Sequence, residues 1–284
     1  MRVVRAVEEL RGAILDRRLA GDSVGLVPTM GSLHDGHLSL VRRARAENGS
    51  VVASVFVNPT QFAPGEDYER YPRDEKRDLA LLEREDVDIA FCPPVTEMYV
   101  AGDATRVSVS GLTDRLEGAS RPGHFDGVTT VVAKLLLVVG PARAYFGQKD
   151  AQQVIVIRRM VRDLFIHVDL VGCPTVRHDD GLALSSRNAY LSIEERHAAA
   201  CLFQALSAAR ASYDRGERSA EALRARMSDV IEGERLARID YVSVADAETL
   251  TELQRVNRAA IALVAARIGR TRLIDNQPLG WDVS

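Results

Sequence analysis

Two histidines three residues apart, His34 and His37, stand in the stretch P-T-M-G-S-L-H-D-G-H, Pro28 to His37. Histidine can donate a hydrogen bond or carry a charge near neutral pH. At the point where a loop enters a helix, such a pair meets free backbone N–H groups and the positive end of the helix dipole, both of which attract anions. The chemistry this placement suggests acts on phosphate. A lone histidine is as readily a surface or satisfied core residue. A pair flanked by glycines directly after an apolar run, like this one, argues for a role.

The elements that must hold the pair can be read on either side of it. Val24 to Val27 is a short apolar run of the kind that forms a buried parallel strand, and Pro28 is expected to end it. Gly31 and Gly36 allow tight backbone in the loop. From His37 the spacing turns helical, with Leu38, Val41 and Ala44 inward and Arg42, Arg43 and Arg45 on a solvated face. Val51 to Val57 reads as a second buried strand, ending at Asn58-Pro59-Thr60-Gln61-Phe62. Ligands bind beyond the C-terminal ends of strands in open α/β sheets, so Asn58 and Gln61 join the candidates. After a polar loop at 63–74, a helix is expected from Glu75 to Glu85, with Asp78 on its exposed face, and a third strand from Val87 to Phe91.

Residues 1–20 read as a helix and Thr105 to Val109 as a strand. A turn-rich stretch holding Arg121, His124 and Asp126 precedes an apolar helix, Val128 to Val139. Arg143 to Phe146 reads as a further core strand. It runs into Gly147-Gln148-Lys149-Asp150, and a helix starts at Ala151 with Gln152 and Gln153 in its first turn. Lys149 there is either a solvated lysine or a phosphate ligand. Gln61 and Gln153 are equally open to capping or surface roles. A strand is expected from Ile166 to Val171, then a polar loop with Ser185, Ser186 and Arg187. Ser192 and Glu195 form a capping box for a helix running to Asp214, and a second helix covers 219–231. Strands at 239–244, 259–267 and 272–275 complete a small α+β unit. The alternation predicts a Rossmann-like doubly wound parallel sheet over residues 1–176 and a smaller α+β domain over 177–284.

The 284 residues, 46% hydrophobic, suffice for one large α/β domain and a smaller companion. A net charge of -3 gives no basic excess for a nucleic-acid partner. Glu8 and Glu9 stand where a signal peptide needs an apolar core. The run Leu135 to Val139, between Lys134 and Gly140, is too short to span a membrane. Three widely spaced cysteines, Cys92, Cys173 and Cys201, fit buried reduced thiols and a cytoplasmic protein. The histidines form no zinc-like cluster.

Five motifs together point further. P-T-M-G-S-L-H-D-G-H resembles the H-x-G-H signature of the nucleotidylyltransferase superfamily. F-V-N-P-T-Q-F, R-P-G-H-F-D-G-V, F-G-Q-K-D-A-Q-Q and L-S-S-R-N follow in the order of the pantothenate synthetase family, and the resemblance covers residues 1–284. It implies ATP-dependent condensation of D-pantoate with β-alanine through a pantoyl adenylate, releasing AMP and pyrophosphate. It implies an ATP site at Met30, His34, His37, Gly147, Lys149, Asp150, Val176, Leu184, Ser185, Ser186 and Arg187. Of these, His34, His37, Lys149, Ser185, Ser186 and Arg187 would carry the catalysis. Pantoate and β-alanine would meet Gln61, Gln153, Asn58, Met30, Val131 and Val132. Asp78 falls at a position associated with Mg²⁺, and a homodimer whose C-terminal domain covers the active site is implied. One departure is visible: the family commonly has methionine where this chain has Leu184, a swap of similar volume that loses the thioether. The rival readings are a plain nucleotidylyltransferase that leaves AMP on its product and a non-catalytic nucleotide-binding module. The complete set of histidines, glutamines, lysine and S-S-R argues against the second.

Overall fold

The computed structural model describes residues 1–281. Its first unit, Met1–Gly147 with Val156–Cys173, is built on one six-stranded parallel sheet. The strands are β1 (Arg2–Val4), β2 (Val24–Thr29), β3 (Ser50–Val55), β4 (Ile89–Phe91), β5 (Ala142–Gly147) and β6 (Val168–Cys173), in spatial order β1-β4-β3-β2-β5-β6. The chain steps outward from β2 to β3 and β4, then returns to lay β5 on the other side of β2. That reversal is a topological switch point, where a crevice opens at the C-terminal edge of a doubly wound sheet. The loops after β2 and β3 leave from that edge.

The crossover helices are α1 (Val7–Leu19), α2 (Asp35–Glu47) and α3 (Glu75–Arg84). Two single turns follow, α4 (Val95–Met98) and α5 (Glu117–Ser120), then the long α6 (His124–Val139) and α7 (Ala151–Asp163), whose first turn belongs to the second unit. Leu40, Val41 and Ala44 of α2 and Leu82 of α3 pack with Val27, Val51 and Ala53 of the sheet. The alternate residues Val24, Leu26 and Val52 are also buried, so both faces of the sheet are covered.

Pro28 does not end its strand. β2 runs on to Thr29, with Pro28 opposite Ser54 of β3. The Phe56 N–H donates to the Thr29 carbonyl, so Thr29 faces β3 and Pro28 faces the other way. On that side the pairing with β5 stops at Leu26, and the missing N–H of Pro28 breaks no ladder bond. Residues 2–4, expected as helix, are the edge strand β1 beside β4. No strand forms at Thr105 to Val109. Its backbone is met by side chains of α6 instead: the Val107 N–H donates to Thr130 Oγ1, and Thr129 Oγ1 donates to the Val107 carbonyl. The arginines of α2 are paired rather than merely solvated, Arg42 with Glu85, Arg43 with Glu47 and Arg45 with Asp88.

The second unit is Gln148–Ile155 with Pro174 onward. It holds α8 (Ile193–Ala198), α9 (Cys201–Asp214) and α10 (Ala220–Glu232), then β7 (Ala237–Asp246), β8 (Ala260–Ile268) and β9 (Thr271–Leu279) in one antiparallel sheet. The helix expected from 192 to 214 is thus two, and its Ser192–Glu195 capping box is present. Leu202, Leu206, Leu223 and Met227 pack against Val244, Ala262 and Val264 to form this unit's own core. All three cysteines are free and buried. Burial pushes the Cys92 thiol up to about 11 and the Cys201 thiol to about 12, as fits inert core thiols.

Candidate active site

In the first unit the histidine loop is held by one carboxylate. Asp78, on α3, is 1% exposed. Its Oδ2 accepts from the Ser32 N–H and its Oδ1 from the Leu33 N–H, both at 2.8 Å. Gly31 is left-handed at φ +79°, and a Cβ there would stand 2.8 Å from Asp78 Oδ2, so both conformation and space demand glycine. Burial raises the Asp78 carboxyl above its usual range against the pull of these two bonds. The loop delivers His34 to the N-cap of α2 and His37 to its first turn. Their ring centroids are 4.0 Å apart. The His34 N–H donates to His37 Nδ1 at 3.4 Å. In the neutral ring this leaves the proton on Nε2, making that nitrogen a donor.

The same carboxylate bears on the expected metal site. Among the described residues, no group of three or more His, Cys, Asp or Glu could hold a metal ion. Both oxygens of Asp78 already bind backbone N–H groups and the side chain is nearly sealed, so it fits Mg²⁺ poorly as a direct ligand. Nor is it on an exposed helix face, as its spacing suggested; the loop ahead of the histidines covers it.

Beyond β3, Asn58 is buried and Gln61 nearly so, in the short turn Pro59–Gln61. Asn58 Oδ1 accepts from Tyr99 Oη at 2.7 Å, from Thr60 Oγ1 at 3.0 Å and from the Thr60 N–H at 3.3 Å. Its Nδ2 donates to Gln61 Oε1 at 3.0 Å and to the Gly127 carbonyl at 3.1 Å. Gln61 Nε2 in turn lies 3.0 Å from Met30 Sδ. Gly127 allows this approach, since a Cβ on it would overlap the Thr60 carbonyl. Val131 and Val132 are buried farther along α6.

Behind Gln61 stands a cluster whose residues the sequence displayed without a role. His124 Nδ1 is 2.8 Å from the Gln61 carbonyl, and Nε2 is 3.1 Å from Arg121 Nη1. A carbonyl and a guanidinium leave one consistent arrangement: Nδ1–H donates and Nε2 accepts. Burial, reinforced by the charge of Arg121, pushes the imidazole down to about 4. Arg121 also grips Glu66 with Nε and Nη2 at 2.8 and 2.7 Å, pinning the 63–74 loop. Burial works against the Glu66 charge, but the bonds and charge of Arg121 outweigh it and hold the carboxyl below its usual range.

In the second unit, Lys149 and Asp150 lie in the helical turn Gln148–Asp150, with Nζ of Lys149 3.3 Å from Asp150 Oδ1. Gln153 is half-buried in the first turn of α7. Val176 and Leu184 face each other across a hairpin, the Leu184 N–H donating to the Val176 carbonyl at 3.0 Å. Ser185 follows at once and caps the turn Ser186–Tyr190, its Oγ accepting from the Arg187 N–H at 3.3 Å. Met30, His34, His37, Asn58 and Gln61 thus all lie in the first unit. Lys149, Asp150, Gln153, Val176 and Leu184 to Arg187 belong to the other.

The family model for pantoate-beta-alanine ligase matches residues 2–278. The chain belongs to the pantoate–β-alanine ligase family. A pantothenate synthetase from Roseiflexus sp. (strain RS-1) is 59% identical over 276 residues, 97% of this chain and 98% of that protein. One from Thermotoga petrophila is 53% identical over 280 residues, 99% of this chain and all of its own. Among solved structures, the pantothenate synthetase of Thermus thermophilus superposes with a TM-score of 0.93 at 54% identity, covering 98% of this chain and 99% of that one. The pantoate-beta-alanine ligase of Francisella tularensis, solved with β-γ ATP and β-alanine, covers both chains fully with a TM-score of 0.80 at 34% identity. As a ligase, the chain therefore has a frame shared along its whole length. No helix among the described residues is long and apolar enough to cross a membrane.

Tyr99, Glu66, Asp275 and Asn276 were not singled out by the sequence reading. Tyr99 follows an ordinary single turn and carries no signal. Asp275 and Asn276 do: they begin a run of three polar residues, Asp275 to Gln277, directly after Leu273 and Ile274.

Proposed function

We propose that this ligase joins D-pantoate to β-alanine in two steps, consuming ATP. A pantoate carboxylate oxygen attacks the α-phosphorus, and the bond to pyrophosphate breaks. The β-alanine amine then attacks the acyl carbon of the pantoyl adenylate, the bond to AMP breaks, and the amine loses its proton as the amide forms. The observation that carries this reading is the pairing, at one sheet edge, of two histidines on a helix N-terminus with a glutamine whose amide is oriented by Asn58.

The first step needs no protein nucleophile, so catalysis rests on positioning and on stabilising charge. His37 offers Nε2–H to phosphate oxygens, and His34 stands beside it at the positive end of α2. Lys149 and Arg187 supply cationic donors to phosphate, Arg187 the better bidentate one. Ser185 and Ser186 add hydroxyls, while Met30, Gly147, Asp150, Val176 and Leu184 complete the nucleotide contacts. Gln61 and Gln153 take the hydroxyls and carboxylate of pantoate, beside Asn58, Val131 and Val132. Mg²⁺ would enter with ATP and neutralise phosphate charge, with no side chain assigned to hold it; Asp78 acts on the histidine loop. The 63–74 loop shields the adenylate from water. A cytoplasmic homodimer belongs to the same proposal.

Pantoate labelled with ¹⁸O in its carboxylate tests the two-step route. One label should appear in AMP. AMP free of label would remove the adenylate.

A further inference from the structure

β9 carries two adjacent polar residues, Asp275 and Asn276, each 3% exposed. Successive side chains of a strand leave opposite faces, so neighbours can hold two different segments. Asp275 takes Arg177 in a two-point grip, Nη1 to Oδ2 at 2.5 Å and Nη2 to Oδ1 at 3.0 Å. The guanidinium lies 4.6 Å over the Phe203 ring and also donates to the Gly181 carbonyl at 3.0 Å. Gly181 is left-handed at φ +90°, and a Cβ on it would run into Phe203. Arg177 therefore locks the hairpin that presents Val176 and Leu184 and leads without a break into Ser185–Arg187.

Asn276 directs its whole amide elsewhere. Nδ2 donates to the Gln148 carbonyl at 2.8 Å and the Lys149 carbonyl at 2.9 Å, while Oδ1 accepts from Gln148 Nε2 at 3.4 Å. The two β9 residues are also tied together, the Asn276 N–H donating to Asp275 Oδ1 at 2.8 Å. A buried polar group must be satisfied in any fold. Here satisfaction is concentrated on two short segments, one bearing Lys149 and the other leading directly into Arg187, the two cations assigned to phosphate.

We propose that Asp275 and Asn276 are positioning residues for the reaction, setting the Lys149 turn and the Ser185–Arg187 loop in register from one strand. The inference rests on the phosphate roles given to Lys149 and Arg187. Neither β9 residue touches substrate; each acts through the backbone it holds. A displacement of about 1 Å in such groups costs on the order of 100-fold in rate.

The test is pantoate-dependent exchange of labelled pyrophosphate into ATP, with melting temperature measured alongside, for Asn276→Ala, Asp275→Asn, Lys149→Ala and Ser243→Ala. Ser243, buried on β7 of the same sheet and hydrogen-bonded to Glu252, controls for loss of a buried polar group bonded to neither loop. Asn276→Ala and Asp275→Asn should lower kcat/KM for ATP by about 10- to 100-fold in exchange. They should leave the reaction of supplied pantoyl adenylate with β-alanine within about 3-fold, and Ser243→Ala should leave both intact. If Asn276→Ala does not fold, Asn276→Ser carries the same test. Equal losses in both half-reactions, or losses that Ser243→Ala matches at the same melting temperature, would overturn the positioning role. Lys149→Ala separates the two levels: if it abolishes exchange while the β9 variants do not, only the positioning inference fails. If Lys149→Ala exchanges normally, the phosphate reading beneath it fails as well.

Discussion

Asn58 Nδ2 donates to Gln61 Oε1 at 3.0 Å, and this bond fixes the orientation of the Gln61 amide. Asn58 cannot turn over, because its Oδ1 is already taken by Tyr99 and Thr60. Gln61 is therefore committed to presenting its NH₂ end, on the side of Met30, which suits hydroxyl and carboxylate oxygens.

Tyr99→Phe tests that chain of orientation at its far end. Losing one hydrogen bond of ordinary strength costs about 1 kcal/mol, or about 5-fold. The KM for pantoate should rise by about that factor while the KM for ATP stays put. An unchanged pantoate KM, or an equal rise in both, would take Tyr99 out of the chain.

His34→Ala and His37→Ala should each slow adenylate formation by about 10²- to 10³-fold, the size of losing one preorganised donor to developing charge. His37→Gln keeps a donor near Nε2 and should recover part of the loss. Single-turnover formation of pantoyl adenylate is the measurement, and near-wild-type rates would remove either histidine from the mechanism.

His124 makes stability depend on pH. Its imidazole falls from an ordinary 6.5 to about 4 on folding, with burial the main cause and Arg121 adding to it against Glu66 and Glu117. Below pH 6.5 the unfolded chain takes up a proton that the folded chain refuses. Stability is thus full above about 6.5, declines as pH drops to about 4, and loses up to about 3 kcal/mol over that window. Denaturant titrations of His124→Asn across the same range should show a flatter slope than the parent. Parallel slopes would show that the ring is not buried neutral.

Gly127 and Gly147 give opposite expectations. A Cβ at 127 overlaps backbone of the Asn58–Gln61 turn, so Gly127→Ala should cost about 1–3 kcal/mol and raise the pantoate KM. Around Gly147 a Cβ would meet nothing within 4 Å. Gly147→Ala should hold its melting temperature and, if ATP approaches that backbone, raise the ATP KM alone.

The sequence disclosed the site best where function and local structure share one signal. An apolar run, a glycine turn and paired histidines specify β2, its loop and α2 together, and the structure places them so. It disclosed less where the partner lies far along the chain. The edge strand β1 is three residues long and is a strand only because β4 lies beside it. Thr105 to Val109 has strand-like residues, but threonines of α6 reach its backbone first. Pro28 reads as a stop unless one knows that its N–H side has no strand to pair with at that height. Asp78 fell at helix spacing that suggests exposure, because the loop covering it comes 45 residues earlier. Asp275 and Asn276 bond to residues 98 and 127 positions earlier in the chain, partners that no local pattern identifies.

The central claim is that activation by ATP and capture by an amine occur at one site. The most direct measurement follows AMP, pyrophosphate and pantothenate together with ATP and pantoate present and β-alanine withheld or supplied. Without β-alanine, pyrophosphate should appear in a burst of one equivalent per site, with AMP held back as pantoyl adenylate. With β-alanine, AMP and pantothenate should be released in equal amounts. Steady turnover to a free nucleotide-bearing product, indifferent to β-alanine, would contradict the account and make the chain a nucleotidylyltransferase.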